Sequence, residues 1–262
     1  MDLSLRQKGR HYAVTGASSG IGRAVAIRLG AEGANLTLMA RREELLEQVA
    51  AEAVEAGAVL VQVVRCDVSD RASVDAAFAE GLDALGPLSG VVAAAGVGGP
   101  NDAGPDDRFE AVIATNLTGT YHCLRAAQRH LAEGPDPRHM VVLSSVLGRF
   151  GVSGHTAYCA SKAGLLGLVR ALALELAPQN VAVNAICPGW VETEMAWEGI
   201  DHIARERGWT RERALAGALK QVPLGRMSKP EEVAGTVAWL LSPDALGVTG
   251  QGIDINNGAW MG

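Results

Sequence analysis

A chain of 262 residues, 48% hydrophobic and 20% charged, is long enough to bury one large α/β core without disulfide staples. Its formal net charge of -6, with no basic run carrying interleaved aromatics, argues against nucleic acid or an anionic membrane surface as the main partner. Cys66, Cys123, Cys159 and Cys187 stand far apart without a Cys-x-x-Cys spacing, so free thiols are expected, with neither a metal site nor a disulfide.

The opening segment MDLSLRQKGRHYAVTG has an acidic second residue and no apolar leader core, and it runs directly into a strand; a cytoplasmic location is expected. Seven short apolar, mostly β-branched runs follow at 11–16, 35–40, 59–68, 89–96, 139–145, 181–189 and 251–258. They lack polar alternation, as strands covered on both faces do. Amphipathic stretches at about 21–32, 42–56, 70–85, 108–132, 156–177 and 230–241 lie between them. The most apolar of these, AGLLGLVRALALELA, is interrupted by Arg170 and Glu175 and reads as short of a membrane span. Strand-then-helix alternation implies right-handed βαβ units and a parallel sheet wound on both faces. Two segments depart from the rhythm. The Gly-, Pro- and Asp-rich 97–107 reads as a loop after the fourth strand, and 190–229 as an insertion at the carboxyl ends of the strands, where a substrate lid belongs. A single domain over 1–262 is expected.

TGASSGIG (15–22) sits between the first strand and the first helix. Gly16 permits a sharp turn, Gly20 lets backbone approach a pyrophosphate, and Gly22 lets the helix pack close to the sheet. The helix N-terminus then offers unpaired N–H groups to phosphates, making Gly16, Ser18, Ser19, Gly20, Ile21 and Gly22 the expected cradle. Tyr158 and Lys162, four apart, share a helix face. A phenol titrates near pH 10, and a neighbouring positive charge favours its anion, bringing it towards the range of a useful general acid/base.

The glycine spacing, T-G-x-x-x-G-x-G, resembles that of the short-chain dehydrogenase/reductase family, and the resemblance extends along the chain. Ser145 precedes Tyr158 by thirteen residues, Asn116 stands in ATNLTG, Asp67 and Val68 in CDVS, and Pro188, Gly189, Val191 and Thr193 in CPGWVET. AAAG (93–96) replaces the family's N-N-A-G, keeping Ala95 and Gly96 but losing two asparagines that tie this corner, which should loosen it. The resemblance implies a Rossmann-like doubly wound parallel sheet of about seven strands with helices on both faces. It further implies an NAD(P)(H)-dependent oxidoreductase that interconverts a ketone and a secondary alcohol. In that reading Tyr158 exchanges the proton, Ser145 bonds the same oxygen, Lys162 lowers the phenol and binds the nicotinamide ribose, and Asn116 holds a water relay. Asp67 meets the adenine, and 188–193 cradle the nicotinamide.

Counting from Gly33, the position where an NAD-preferring member carries an acidic residue is Ala40, followed by Arg41 and Arg42. NADP(H) is therefore expected over NAD(H), with Arg41 as the main phosphate donor. Trp190, Met195 and Trp197 are candidate substrate contacts. Arg205, Arg207, Arg211 and Arg213 alternate with Glu206 and Glu212 and read as a solvated face. Ser144 is expected to point away from Ser145 by strand alternation, and Cys159 and His155 read as packing and helix-start residues. Within the family the chain is similar to polyketide ketoreductases and 3-oxoacyl-thioester reductases, which makes such a ketone the expected substrate. Cyclic, steroid, sugar and aryl alcohols are the alternatives. A non-catalytic nucleotide-sensing or scaffold protein on the same fold is the rival reading. The resemblance also implies a homotetramer, with a dimer as the alternative.

Overall fold

The computed structural model describes residues 6–262; the first five residues, on which part of the leader reading falls, lie outside the described residues. In chain order the elements are β1 His11–Thr15, α1 Gly20–Ala31, β2 Asn35–Ala40, α2 Glu43–Ala56, β3 Val61–Arg65, α3 Arg71–Leu85 and β4 Gly90–Ala93. The second half continues with α4 Phe109–Ile113, α5 Gly119–Arg129, β5 Arg138–Leu143, α6 Thr156–Leu176, β6 Val181–Pro188, α7 Glu194–Arg207, α8 Arg211–Leu219, α9 Pro230–Leu240 and β7 Gly252–Ile255. The seven strands form one parallel sheet in the order β3-β2-β1-β4-β5-β6-β7. The order reverses between β1 and β4, where Thr15 pairs with Ala93, and ligands of doubly wound sheets bind at such a crevice.

The unbroken apolar runs have a simple cause: alternate residues enter two different cores. Tyr12 and Val14 of β1 join Leu36 and Leu38 against α1, α2 and α9. Ala13 and Met39 point the other way, into a layer with Phe78 of α3, Leu124 of α5 and Leu165 and Val169 of α6. α6 is apolar and long enough, with the short turn after it, to meet the length and composition of a membrane span, contrary to the expectation from its charges. Its buried face packs Leu165, Val169 and Leu172 into this second layer.

Helix starts follow capping chemistry: Asp70 accepts from Ala72 N, Thr193 from Ala196 N and Thr210 from Arg213 N. Gly208, left-handed at φ +60°, ends α7. Two expected elements differ in detail. The run 59–68 contributes only Val61–Arg65 to the sheet, with Val59 and Leu60 exposed. The long helix expected over 108–132 is divided by a π-helical turn, Ala114–Thr118, which carries Asn116. Residues 190–229 form α7 and α8 around a small apolar cluster of Ala196, Ile200, Ala214 and Met227, joined by Trp190, Trp197 and Trp209.

Candidate active site

Residues 15–22 turn from β1 into α1 beside the end of β4. Gly16 has φ +67°, and a Cβ there would lie 2.7 Å from Ala95 Cα, so the crossing admits only glycine. A Cβ on Gly22 would sit 2.2 Å from the Gly16 carbonyl oxygen. Ser19 is the N-cap of α1 but makes no side-chain cap, leaving first-turn N–H groups without a side-chain acceptor. Its hydroxyl instead lies 3.0 Å from Arg42 Nη2, with Ser18 Oγ 3.4 Å from the same nitrogen. Open helix donors, a backbone clear of Cβ atoms and an arginine on the rim fit a pyrophosphate-bearing dinucleotide. Arg42, the N-cap of α2, thus reaches the loop serines rather than Arg41. Arg41 is exposed and near Asp67, whose carboxyl is held below its usual value chiefly by the Ser69 hydroxyl, with Arg41 adding to it. Val68 beside it packs its carbonyl against Gly119, where a Cβ would come within 2.8 Å.

Ala93 and Ala94 fill the corner where the family has asparagines. Ala93 is buried in one apolar layer and Ala94 packs against the other, while Ala95 N donates to Thr15 Oγ1 at 3.3 Å. Gly96 follows, and a Cβ there would stand 3.3 Å from Asn116 Oδ1 and 3.5 Å from Lys162 Nζ, so its missing side chain lets these two groups share one space.

Tyr158 and Lys162 lie on one face of α6, with Nζ 5.5 Å from the phenol ring centroid. Lys162 is buried and donates to Leu143 O at 2.7 Å. Burial lowers its ammonium to about 8 and raises the Tyr158 phenol above its ordinary value, with the Ser145 hydroxyl opposing that rise. Desolvation, which penalises either charge, is the largest influence on both groups. Ser145 accepts from Leu147 N at 3.1 Å, which leaves its own proton free to donate. Asn116 is fully buried; its amide brackets Val97 by accepting from Val97 N at 2.8 Å and donating to Val97 O at 2.9 Å, and it also donates to Ser161 Oγ.

Around this centre, Gly189 packs against Asn256, and Thr193 both caps α7 and lays its methyl 3.2 Å from where a Gly20 Cβ would be. Val191 is buried and pairs with Ser228, joining the two stems of the 190–229 segment. Met195 lies against Gly98 of the loop after β4; a Cβ there would meet its sulfur at 2.9 Å. Trp190 and Trp197 instead face the cluster between α7 and α8, where Trp190 covers Gly199 and Arg211 stacks 4.7 Å above Trp197. Arg207 and Arg213 both stack on Trp209, so the arginines of this segment brace its corner as well as meeting solvent.

Two residues were not legible as site residues. Asn101 ties the loop after β4 to α6: its backbone N–H donates to Gly154 O, its side-chain Nδ2 donates to Thr156 Oγ1, and its side-chain Oδ1 accepts from Arg108 N. Ser144, just past the end of β5, is the second: its backbone N–H still donates to Ile186 O of β6 at 2.8 Å, and its buried hydroxyl donates to Lys162 O at 2.8 Å. Cys66, Cys123, Cys159 and Cys187 carry free thiols, burial raises Cys66 to about 11, and no group of three or more candidate metal ligands occurs among the described residues.

Residues 16–259 match a family model described as enoyl-(acyl carrier protein) reductase. A Streptomyces coelicolor protein provisionally named a ketoacyl reductase is 38% identical over 250 residues, covering 94% of this chain and 95% of its own. The 3-oxoacyl-[acyl-carrier-protein] reductase MabA of Mycobacterium tuberculosis is 34% identical over 257 residues, covering 97% and 94%. Among solved structures, a single-residue variant of actinorhodin polyketide ketoreductase with NADPH superposes with a TM-score of 0.88 at 35% identity, covering 95% of this chain and 97% of that one. With the switch-point crevice, the glycine turn and the Tyr158–Lys162 face in one place, the chain belongs to the short-chain dehydrogenase/reductase family, oxidoreductases that interconvert ketones and alcohols with a nicotinamide cofactor.

Proposed function

We propose that this chain reduces a 3-oxoacyl thioester or polyketide ketone, with NADPH as the preferred reductant. The observation that carries the reading is the face on which half-buried Tyr158 and buried Lys162 sit beside Ser145 at the carboxyl ends of the strands, next to the glycine turn. A bound nicotinamide nucleotide supplies the hydride in reduction and accepts it in oxidation. Gly16, Ser18, Ser19, Gly20, Ile21 and Gly22 hold its pyrophosphate, Asp67, Val68, Ala95 and Gly96 its adenosine side, and Pro188, Gly189, Val191 and Thr193 its nicotinamide side. Arg42, with Arg41 beside it, recognises a 2′-phosphate.

Tyr158 Oη gives its proton to the substrate oxygen on reduction and takes it back on oxidation. Ser145 Oγ donates to that same oxygen and stabilises the charge growing on it. Lys162 supplies the positive charge that eases the phenol's loss of its proton, and Asn116 holds the water that returns a proton through Lys162. Two hydroxyls converging on one acceptor oxygen suit a carbonyl better than a carbon–carbon double bond. The names of the relatives support the same substrate class. The segment 190–229 acts as a lid on a single domain, with Met195 touching substrate and Trp190 and Trp197 supporting it. The molecule works as a cytoplasmic homotetramer.

The test is turnover of a 3-oxoacyl thioester, an enoyl thioester, cyclic ketones and a steroid ketone, run with wild type and Tyr158→Phe. We expect the 3-oxoacyl thioester to be the best substrate. The variant should keep cofactor binding and lose at least about a hundredfold in turnover, as for a missing general acid. A better enoyl substrate, or near-native turnover without the phenol, overturns the reading.

A further inference from the structure

Lys162 is gripped twice by consecutive residues at the end of β5. Its Nζ donates to Leu143 O at 2.7 Å, and its main-chain carbonyl accepts from Ser144 Oγ at 2.8 Å. Ser144 is buried, so this bond forms away from bulk water, and a helical carbonyl has a second lone pair available for it. Gly148 closes the seat from a third side: a Cβ there would lie 2.9 Å from Lys162 O and 3.0 Å from Ser144 Oγ. The Ser144 backbone N–H donates to Ile186 O of β6 at 2.8 Å, so strand β6 supports the same point. Ser145 is the next residue in the chain, and Tyr158 lies one turn before Lys162 on the same helix. The Ser144 bond therefore joins, by the shortest covalent routes, the element bearing Ser145 to the helix bearing Tyr158 and Lys162.

We propose that Ser144 is a positioning residue, whose hydroxyl fixes the height of Tyr158 and Lys162 relative to Ser145. This rests on the proton-transfer reading given above. Losing the bond leaves the Lys162 carbonyl without its second partner and lets α6 settle against Gly148. The phenol then no longer shares one acceptor oxygen with the Ser145 hydroxyl. Ser144 itself touches no reacting atom, so its loss acts on turnover and leaves binding in place.

The experiment compares wild type, Ser144→Ala, Gly148→Ala and Tyr158→Phe in steady-state kinetics, cofactor binding and thermal unfolding. Ser144→Ala should lower kcat about tenfold, with KM for ketone and cofactor within about twofold of wild type. The solvent deuterium isotope effect on kcat should rise as proton transfer becomes slower. Gly148→Ala pushes on the same carbonyl from the other side and should give the same split; it decides the matter if Ser144→Ala does not fold. A lower melting point with unchanged kcat per folded molecule, or a loss confined to KM, overturns the proposal. If Tyr158→Phe retains turnover, the proton-transfer reading fails. If it does not, while Ser144→Ala and Gly148→Ala keep native kcat, the role of Ser144 alone fails.

Discussion

Arg41 and Arg42 differ by one position, yet only one reaches the glycine turn. The sequence places two arginines where a carboxylate would disfavour a 2′-phosphate, and choosing between them depends on where α2 begins. Arg42 is its N-cap with φ -98° and ψ 94°, an extended conformation, and its guanidinium lies 3.0 Å from Ser19 Oγ. That bond is between neutral and charged partners on an exposed surface, so a phosphate with two formal charges would compete for the guanidinium. Arg42→Ala is expected to lower kcat/KM for NADPH by about tenfold or more, given about 1.5–3 kcal/mol for a hydrogen bond to a charged group. NADH kinetics should change little, and Arg41→Ala should produce the smaller shift. Measuring both cofactors in both variants checks this; an unchanged NADPH/NADH ratio in Arg42→Ala rules the assignment out. At this scale the sequence was most legible where chemistry depends on helical period, as for Tyr158 and Lys162. It was least legible where a side chain's reach depends on where an element starts, as for Arg42 at the N-cap of α2.

Elements follow the same division. Strand positions and the helices between them were readable because each apolar run feeds two core layers at once. The π turn was not, since Ala114–Thr118 keeps the helical apolar spacing while admitting one extra residue per turn. Nor was the packing of the 190–229 segment, because Trp190, Met195 and Trp197 look alike in sequence and diverge only once α7 sets their faces. Met195 is the member that bears on the loop after β4, and Gly98 has no side chain where its sulfur rests. Gly98→Val should push α7 outward, since overpacking a close contact costs about 1–3 kcal/mol unless the neighbour moves. The expected outcome is a KM for the ketone raised several-fold, with cofactor Kd unchanged. Adding Met195→Ala should restore KM by making room. If the double variant is as impaired as Gly98→Val alone, the contact does not set the opening of the site.

The whole molecule leaves apolar surface on the helix that carries Tyr158 and Lys162. Leu174, near the end of α6, is 81% exposed, and Tyr121 of neighbouring α5 is 40% exposed. Arg125 of α5 and Glu175 of α6 hold the two helices side by side at 2.8 Å, giving this face a fixed shape. At the far edge of the sheet β7 pairs with β6 on one side, and the chain ends beyond it with Trp260 packed on Phe150 and Met261 78% exposed. Two separate apolar faces, one on α5 and α6 and one at β7 and the C-terminal residues, fit a closed assembly with two kinds of interface. The proposed homotetramer has that requirement, whereas a dimer satisfies only one of them. Because α6 also bears Tyr158 and Lys162, assembly through its outer face would hold the helix against β5 from the side opposite the sheet. Light scattering should give a mass near four times 27.2 kDa. Leu174→Glu, which sets a charge on the α6 face without touching the core, should shift the population to smaller species and lower turnover at dilute enzyme. A single wild-type species at 27.2 kDa excludes the tetramer, and an unchanged mass for Leu174→Glu removes this face from the assembly.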